Sequence, residues 1–171
     1  MGVSELRLRP LRPEDEPAVR AAQAEFGDAF EFAIDLRPDT EWTAYVALIE
    51  RMHAGVDVPV DRVPGTFLLA EVDGELVGRA SVRHVLNDWL LAHGGHIGYG
   101  VLPPQRGRGY AREILRQSLI IARAHGVDAA LLTADDGNRA SIAVIEGAGG
   151  RLDPDWPHSD DDPPRRRYWI R

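Results

Sequence analysis

Alternating arginines and glycines, Arg106-Gly107-Arg108-Gly109, followed by Tyr110 and Ala111, are the residues of this chain best suited to hold an anion. Glycine lets a loop turn tightly enough for successive backbone N–H groups to converge. The first turn of a following helix adds unpaired N–H donors and about half a positive charge. The guanidinium groups of Arg106 and Arg108 can add charge-assisted bonds to phosphate oxygens. Two other phosphate loops are excluded. A Walker A loop needs a lysine, and all 20 basic residues here are arginine. The dinucleotide fingerprint needs a third glycine where Arg112 stands.

The elements on either side must place this turn. His96-Ile97-Gly98-Tyr99-Gly100-Val101 reads as a strand whose glycines admit another chain or ligand close to its backbone. Residues 109–125 read as an amphipathic helix, with Ala111, Ile114, Leu115, Leu119 and Ala122 along one side and Gly126 closing it. Upstream, residues 5–11 alternate as a strand, and Pro13 leads an acidic helix start running to Phe26. Residues 41–53 predict a second helix. Strands at 66–72 and 75–84 flank Asp73-Gly74, a strong hairpin signal. Downstream come a strand at 127–133, a helix at 138–147, an acidic loop at 151–164 and a closing strand at 167–170. Residues 26–38, 55–65 and 87–95 read as irregular. This alternation predicts a single α/β (α+β) domain over residues 1–171 with one mixed sheet.

Composition narrows the chemistry. The formal net charge of -7 argues against a general polyanion binder, so no nucleic-acid partner is expected. Without lysine there is no Schiff base, and without cysteine there is no cysteinyl intermediate, disulfide or thiolate metal site. No run approaches the ~18 apolar residues that cross a bilayer, and the first residues lack the apolar core of a signal peptide. A cytoplasmic location without membrane attachment is expected.

The turn resembles the Q/R-x-x-G-x-G/A pattern of Gcn5-related N-acetyltransferases, and the resemblance runs over residues 6–170. A second block agrees with it: Asn138-Arg139-Ala140-Ser141, then Val144-Ile145-Glu146 and Gly149-Gly150. Together with His96-Ile97-Gly98-Tyr99 and the terminal Arg167-Tyr168-Trp169-Ile170, these blocks are similar to a subgroup of predicted acetyltransferases. The resemblance implies a mostly antiparallel sheet of six to seven strands, helices on both faces and splayed central strands. It implies acetyl-CoA as co-substrate. The pantetheine arm would contact the backbone of Tyr99, Val101 and Leu102, and the pyrophosphate would sit on the N–H groups of residues 106–111. Asn138 and Ser141 would reach the arm. The implied acceptor is an amine, of a small molecule in preference to a peptide, and a homodimer is in keeping with relatives.

By the same resemblance the amine attacks the thioester directly, and the Val101 N–H meets the developing oxyanion. Many relatives donate the thiolate proton from a tyrosine where this chain has Ile145. Ser141, one turn after Asn138, is the next candidate, against the reading that its hydroxyl bonds only to its own helix. His96 and His84 are the foremost candidates for the base, with Glu31, Asp35 and Asp88 behind them. For the acceptor wall, Phe30, Glu31, His84 and Asp88 are the expected contacts. Phe26, Phe30, Glu31, Phe32 and Asp35 either form an aromatic, acidic pocket suited to a cation, or the three phenylalanines anchor a long loop to the core. His93-x-x-His96 lacks a third ligand, so no metal is expected. A catalytically idle acyl-CoA sensor and a transferase of longer acyl chains remain open alternatives.

Overall fold

A computed structural model describes residues 5–156 and 164–171 of the chain. The first strand, β1 (Arg7–Arg9), is held by Arg9, which donates to Asp15 and to Glu71 on a neighbouring strand. Pro13 opens a single 3-10 turn ahead of α1 (Glu16–Phe26). The second helix, α2 (Trp42–Ala54), is capped by Glu41, whose carboxylate accepts from the Ala44 N–H. β2 (Gly65–Val72) and β3 (Glu75–Arg83) form the hairpin announced by Asp73-Gly74, and both turn residues have positive φ, 51° and 83°.

After a short π-helical turn (Leu90–Gly94) come β4 (Ile97–Val101), α3 (Tyr110–Ala124), β5 (Ala130–Asp135), α4 (Arg139–Gly147), β6 (Arg151–Leu152) and β7 (Arg165–Ile170). β5 starts later than residues 127–133 suggest, because the Val127 N–H still bonds to the Ala122 carbonyl at the end of α3. β6 lies in a stretch predicted as loop. Its two residues are both exposed, so no hydrophobic pattern marks them. The acidic run at residues 159–162 lies outside the described residues.

Among the described residues the seven strands form two antiparallel sheets, ordered β1-β2-β3-β4 and β5-β7-β6. The split falls between β4 and β5, where the splay is expected. Strand alternation sends Phe67 and Leu69 to one face, where they pack with Val19 and Phe26 of α1 and Tyr45 of α2. Ala70, Val77 and Ala80 face the other side, against Ile114 of α3. Leu115, Leu119 and Ala122 of α3 and Ile142 and Ile145 of α4 then cover β5. Each fully buried aliphatic side chain contributes about 1.5–3 kcal/mol, so this two-faced burial outweighs the open centre of the sheet.

Candidate active site

His96 joins the two sheets. Its N–H donates to the Leu131 carbonyl at 2.7 Å, and the Leu131 N–H donates to its Nδ1 at 2.9 Å. With Nδ1 accepting, the ring proton sits on Nε2. Burial, and then the charge of Arg83, keep the ring's pKa below the usual histidine value. His96 lines neither of the two cavities described below. The expectation of a catalytic base here is corrected: the acceptor nitrogen is spent on the seam.

Past the seam, the register of β3 and β4 decides what the gap contains. The Arg83 N–H bonds to the His96 carbonyl and the Leu102 N–H to the Val77 carbonyl, at the two ends of one continuous ladder. Antiparallel pairs alternate between hydrogen-bonded and non-hydrogen-bonded, so 79↔100 and 81↔98 are bonded as well. The N–H and C=O groups of Ile97, Tyr99 and Val101 therefore point away from β3, toward the gap. Leu102 is different. Its N–H is taken by Val77 and its carbonyl accepts from Gln105, so it offers no free amide, contrary to expectation.

At the end of β4 the chain turns into α3 through Gly107 and Gly109, at φ 78° and 83°, a conformation costly to any residue with a Cβ. Gly109 is the N-cap and has no side chain to bond the helix's first donors. Its carbonyl accepts from the N–H groups of Arg112 and Glu113, which leaves those of Tyr110 and Ala111 directed out of the helix start. The Arg106 N–H is occupied by the Pro103 carbonyl, and its Nε donates to the Val101 carbonyl at 3.2 Å. Arg106 thus braces the strand end rather than offering its amide. A cleft of about 590 Å³ runs from Tyr99, Gly100 and Val101 past this turn to Asn138 and Ser141. Arg112, not singled out in the sequence, lines it as Arg106 does, whereas Arg108 does not.

α4 enters the cleft by its start. Asn138 Oδ1 caps the helix by accepting from the Ser141 N–H at 3.1 Å. Ser141 Oγ meets the Tyr99 hydroxyl at 3.0 Å, so the reading in which it bonds only within its helix does not hold. Tyr99 is half-buried, and that burial raises its pKa against the opposing bond from Ser141, keeping the phenol protonated at neutral pH. Ile145 is fully buried in the core and faces no cavity. The hydroxyl absent from position 145 is present on β4 instead, where reading β4 as backbone alone missed it.

A second cavity of about 680 Å³ is lined by Glu31, Asp35, Phe67, Ser81, Arg83 and Asp88, among others. Arg79 packs against Phe30 of the cleft and Phe67 of this cavity, 4.4 Å over the Phe30 ring and 5.9 Å from that of Phe67. Phe30 lines the cleft, and a Cβ on Gly100 would fall 2.5 Å from its ring. Gly100 thus admits an aromatic side chain rather than only a ligand. Phe32 is fully buried and Phe26, mostly buried, borders the cleft beside Phe30, whereas Glu31 and Asp35 reach the second cavity. Asp35 is paired with Arg62.

His84 does not line this cavity. Its Nε2 is 2.8 Å from Thr66 Oγ1, which also meets His53 Nδ1 at 2.9 Å, and its ring stacks on His125 at 3.7 Å and 9°. Burial, then the neighbouring His125 and His53, lower its pKa to about 4. His84 stands behind Thr66, which lines the cavity in its place. The three imidazoles bring ligand atoms within 4.8 Å of one another. A metal must lie in the plane of each ring that binds it, and two parallel stacked planes share no such point.

An antiparallel sheet parted at its centre, with an amide-lined gap leading to a glycine turn at a helix N-terminus, defines the class of acyl-group transferases with a split sheet. The family model for the acetyltransferase (GNAT) family matches residues 19–149, and the chain belongs to that family. No curated protein matches the sequence significantly. Among solved structures, the acetyltransferase from Agrobacterium tumefaciens str. C58 is 26% identical at a TM-score of 0.61, covering 99% of this chain and 92% of that one. yncA from Salmonella typhimurium, solved with its cofactor acetyl-CoA, is 18% identical at 0.63, covering 96% and 92%. The spermidine/spermine N-acetyltransferase SpeG from Vibrio cholerae is 15% identical at 0.63, also covering 96% and 92%. The latter two likenesses speak to the fold. No helix among the described residues is long and apolar enough to cross a membrane.

Proposed function

We propose that the protein is an acetyl-CoA-dependent N-acetyltransferase that passes the acetyl group directly to an amine, with a small molecule as the favoured acceptor. The observation that carries this reading is the β3–β4 register, which leaves the amides of Tyr99 and Val101 facing a gap that ends at the Gly107–Gly109 turn. A pantetheine arm needs such an unpaired amide edge, and a pyrophosphate needs converging N–H donors at a helix start. The acetyl-CoA bound by yncA from Salmonella typhimurium supports the same use of the fold.

In this reading the N–H groups of Tyr110 and Ala111, with Arg112, hold the pyrophosphate. Asn138 reaches the arm, and the Val101 N–H meets the charge that develops on the thioester oxygen. The Tyr99 hydroxyl, hydrogen-bonded to Ser141, donates the proton taken up by the departing thiolate. The second cavity receives the acceptor. Glu31, exposed and next in the chain to Phe30, takes the ammonium proton through water, while Asp88 helps attract the cation. Isothermal titration of acetyl-CoA, paired with thiol release over an amine panel, tests the reading. Micromolar binding with amine-dependent thiol is expected, and binding with no amine-dependent thiol would leave the sensor reading in its place.

A further inference from the structure

We infer that the acceptor carries a carboxylate as well as its amine, and that Arg83 is the side chain that grips it. The inference rests on the reading of the second cavity as the acceptor site.

Arg83 ends β3 and lines that cavity. Its protein partners are the carbonyls of Gly94 at 3.4 Å and Gly95 at 3.3 Å, both reached by the same nitrogen, NH1. Nε and NH2 have no protein acceptor among the described residues, and no carboxylate lies within ion-pair distance. Other part-buried arginines are neutralised: Arg9 by Asp15 and Glu71, Arg62 by Asp35, Arg167 by Asp153. Four residues earlier on the same face of β3, Arg79 is 4% exposed, also lacks a carboxylate, and has an unpartnered Nε. Arg79 does not line the cavity, so Arg83 is the guanidinium there without a carboxylate, and its burial is costly unless an anion arrives to pair with it. Burial, and then the charge of Arg62, lower the Arg83 pKa to about 10, which still leaves it cationic at neutral pH.

Charge around the cavity selects among anions. Glu31, Asp61 and Asp88 are exposed at its lining, and Asp35 is half-buried there. Arg62, also in the lining, pairs with Asp35 and lies 3.9 Å from Asp61, so Glu31 and Asp88 are the carboxylates left to repel a dianion such as a phosphate monoester. They favour a zwitterion whose ammonium faces the acidic side while its carboxylate reaches the guanidinium. The free Nε and NH2 of Arg83 form the planar fork that pairs with a carboxylate through two parallel bonds. An amino acid, or a small amine with a terminal carboxylate, has that form.

Steady-state acetylation of free amino acids and of their carboxamides, with acetyl-CoA binding measured alongside, tests this. In the wild-type protein the best amino acid should exceed its own carboxamide in kcat/KM by about 10- to 100-fold. Arg83→Gln should abolish the difference, mainly through KM for the acid, with acetyl-CoA affinity and melting temperature unchanged. Arg83→Lys should restore part of it, as a point charge without the fork. Equal use of acid and amide by the wild-type protein overturns the inference without need of any variant. So does a preference that survives Arg83→Gln, or acetylation of neither compound by a protein that still binds acetyl-CoA. Loss of acetyl-CoA binding in the wild-type protein would instead overturn the acetyltransferase reading beneath it.

Discussion

Tyr99 and Ser141 stand 42 residues apart in sequence and 3.0 Å apart at their hydroxyls. If the pair forms one proton relay, Tyr99→Phe lowers kcat by about 100-fold or more while acetyl-CoA affinity changes little. Adding Ser141→Ala to it then costs almost nothing further. Rapid-mixing measurements of the single and double variants check this, and simple additivity would show two independent roles. His96 gives the opposite signature. His96→Ala leaves the Leu131 N–H without its side-chain acceptor, so chemical denaturation should show a loss of about 1–3 kcal/mol. The pH profile of kcat should keep its shape, because the imidazole's acceptor nitrogen is held by Leu131 at the seam. In the sequence a histidine beside a glycine-rich strand suggests a base. Only its hydrogen-bond partner reveals a peg.

Among the elements, β4 and the start of α3 work as one unit: the strand presents amides and the turn presents helix donors. Gly109→Val forces a branched residue into φ 83°, at a cost of about 1–3 kcal/mol, and redirects the first amides of α3. Acetyl-CoA affinity should fall by more than the loss in stability explains, a difference that titration calorimetry beside thermal melting resolves. Gly100 serves the opposite face of the sheet. Gly100→Ala places a methyl group 2.5 Å from the Phe30 ring, so it should destabilise by about 1–3 kcal/mol. Phe30→Leu in the same chain should recover part of that loss. The amphipathic pattern of α3 and the alternation of β2 and β3 announced these elements plainly. β6 gave no signal, since a two-residue exposed strand exists only because β7 lies beside it.

For the molecule as a whole, stability should depend on pH through groups that titrate differently once folded. His84 has its folded pKa depressed to about 4, so the unfolded chain takes up its proton first as pH falls. Melting temperature should therefore be level above about pH 7 and decline from about pH 6.5 toward 4. His84→Gln should flatten that limb. Asp15, whose pairing with Arg9 and bond from the Arg12 N–H outweigh the effect of burial, has its pKa lowered and adds a further loss below about pH 4. The sequence by itself determined the order and type of most elements, the absence of lysine and cysteine chemistry, and the glycine turn at the start of α3. Each of these is set by residues near one another along the chain, through periodicity, glycine geometry or composition. Tertiary structure alone decided that Tyr99 meets Ser141, that Arg112 rather than Arg108 lines the cleft, that His96 and His84 line neither cavity, and that Arg83 lies in a cavity without a carboxylate at ion-pair distance. Those are facts of direction and distance between segments far apart in the chain. They depend on strand register and on which face of the sheet each helix covers, and no local pattern of residues encodes either.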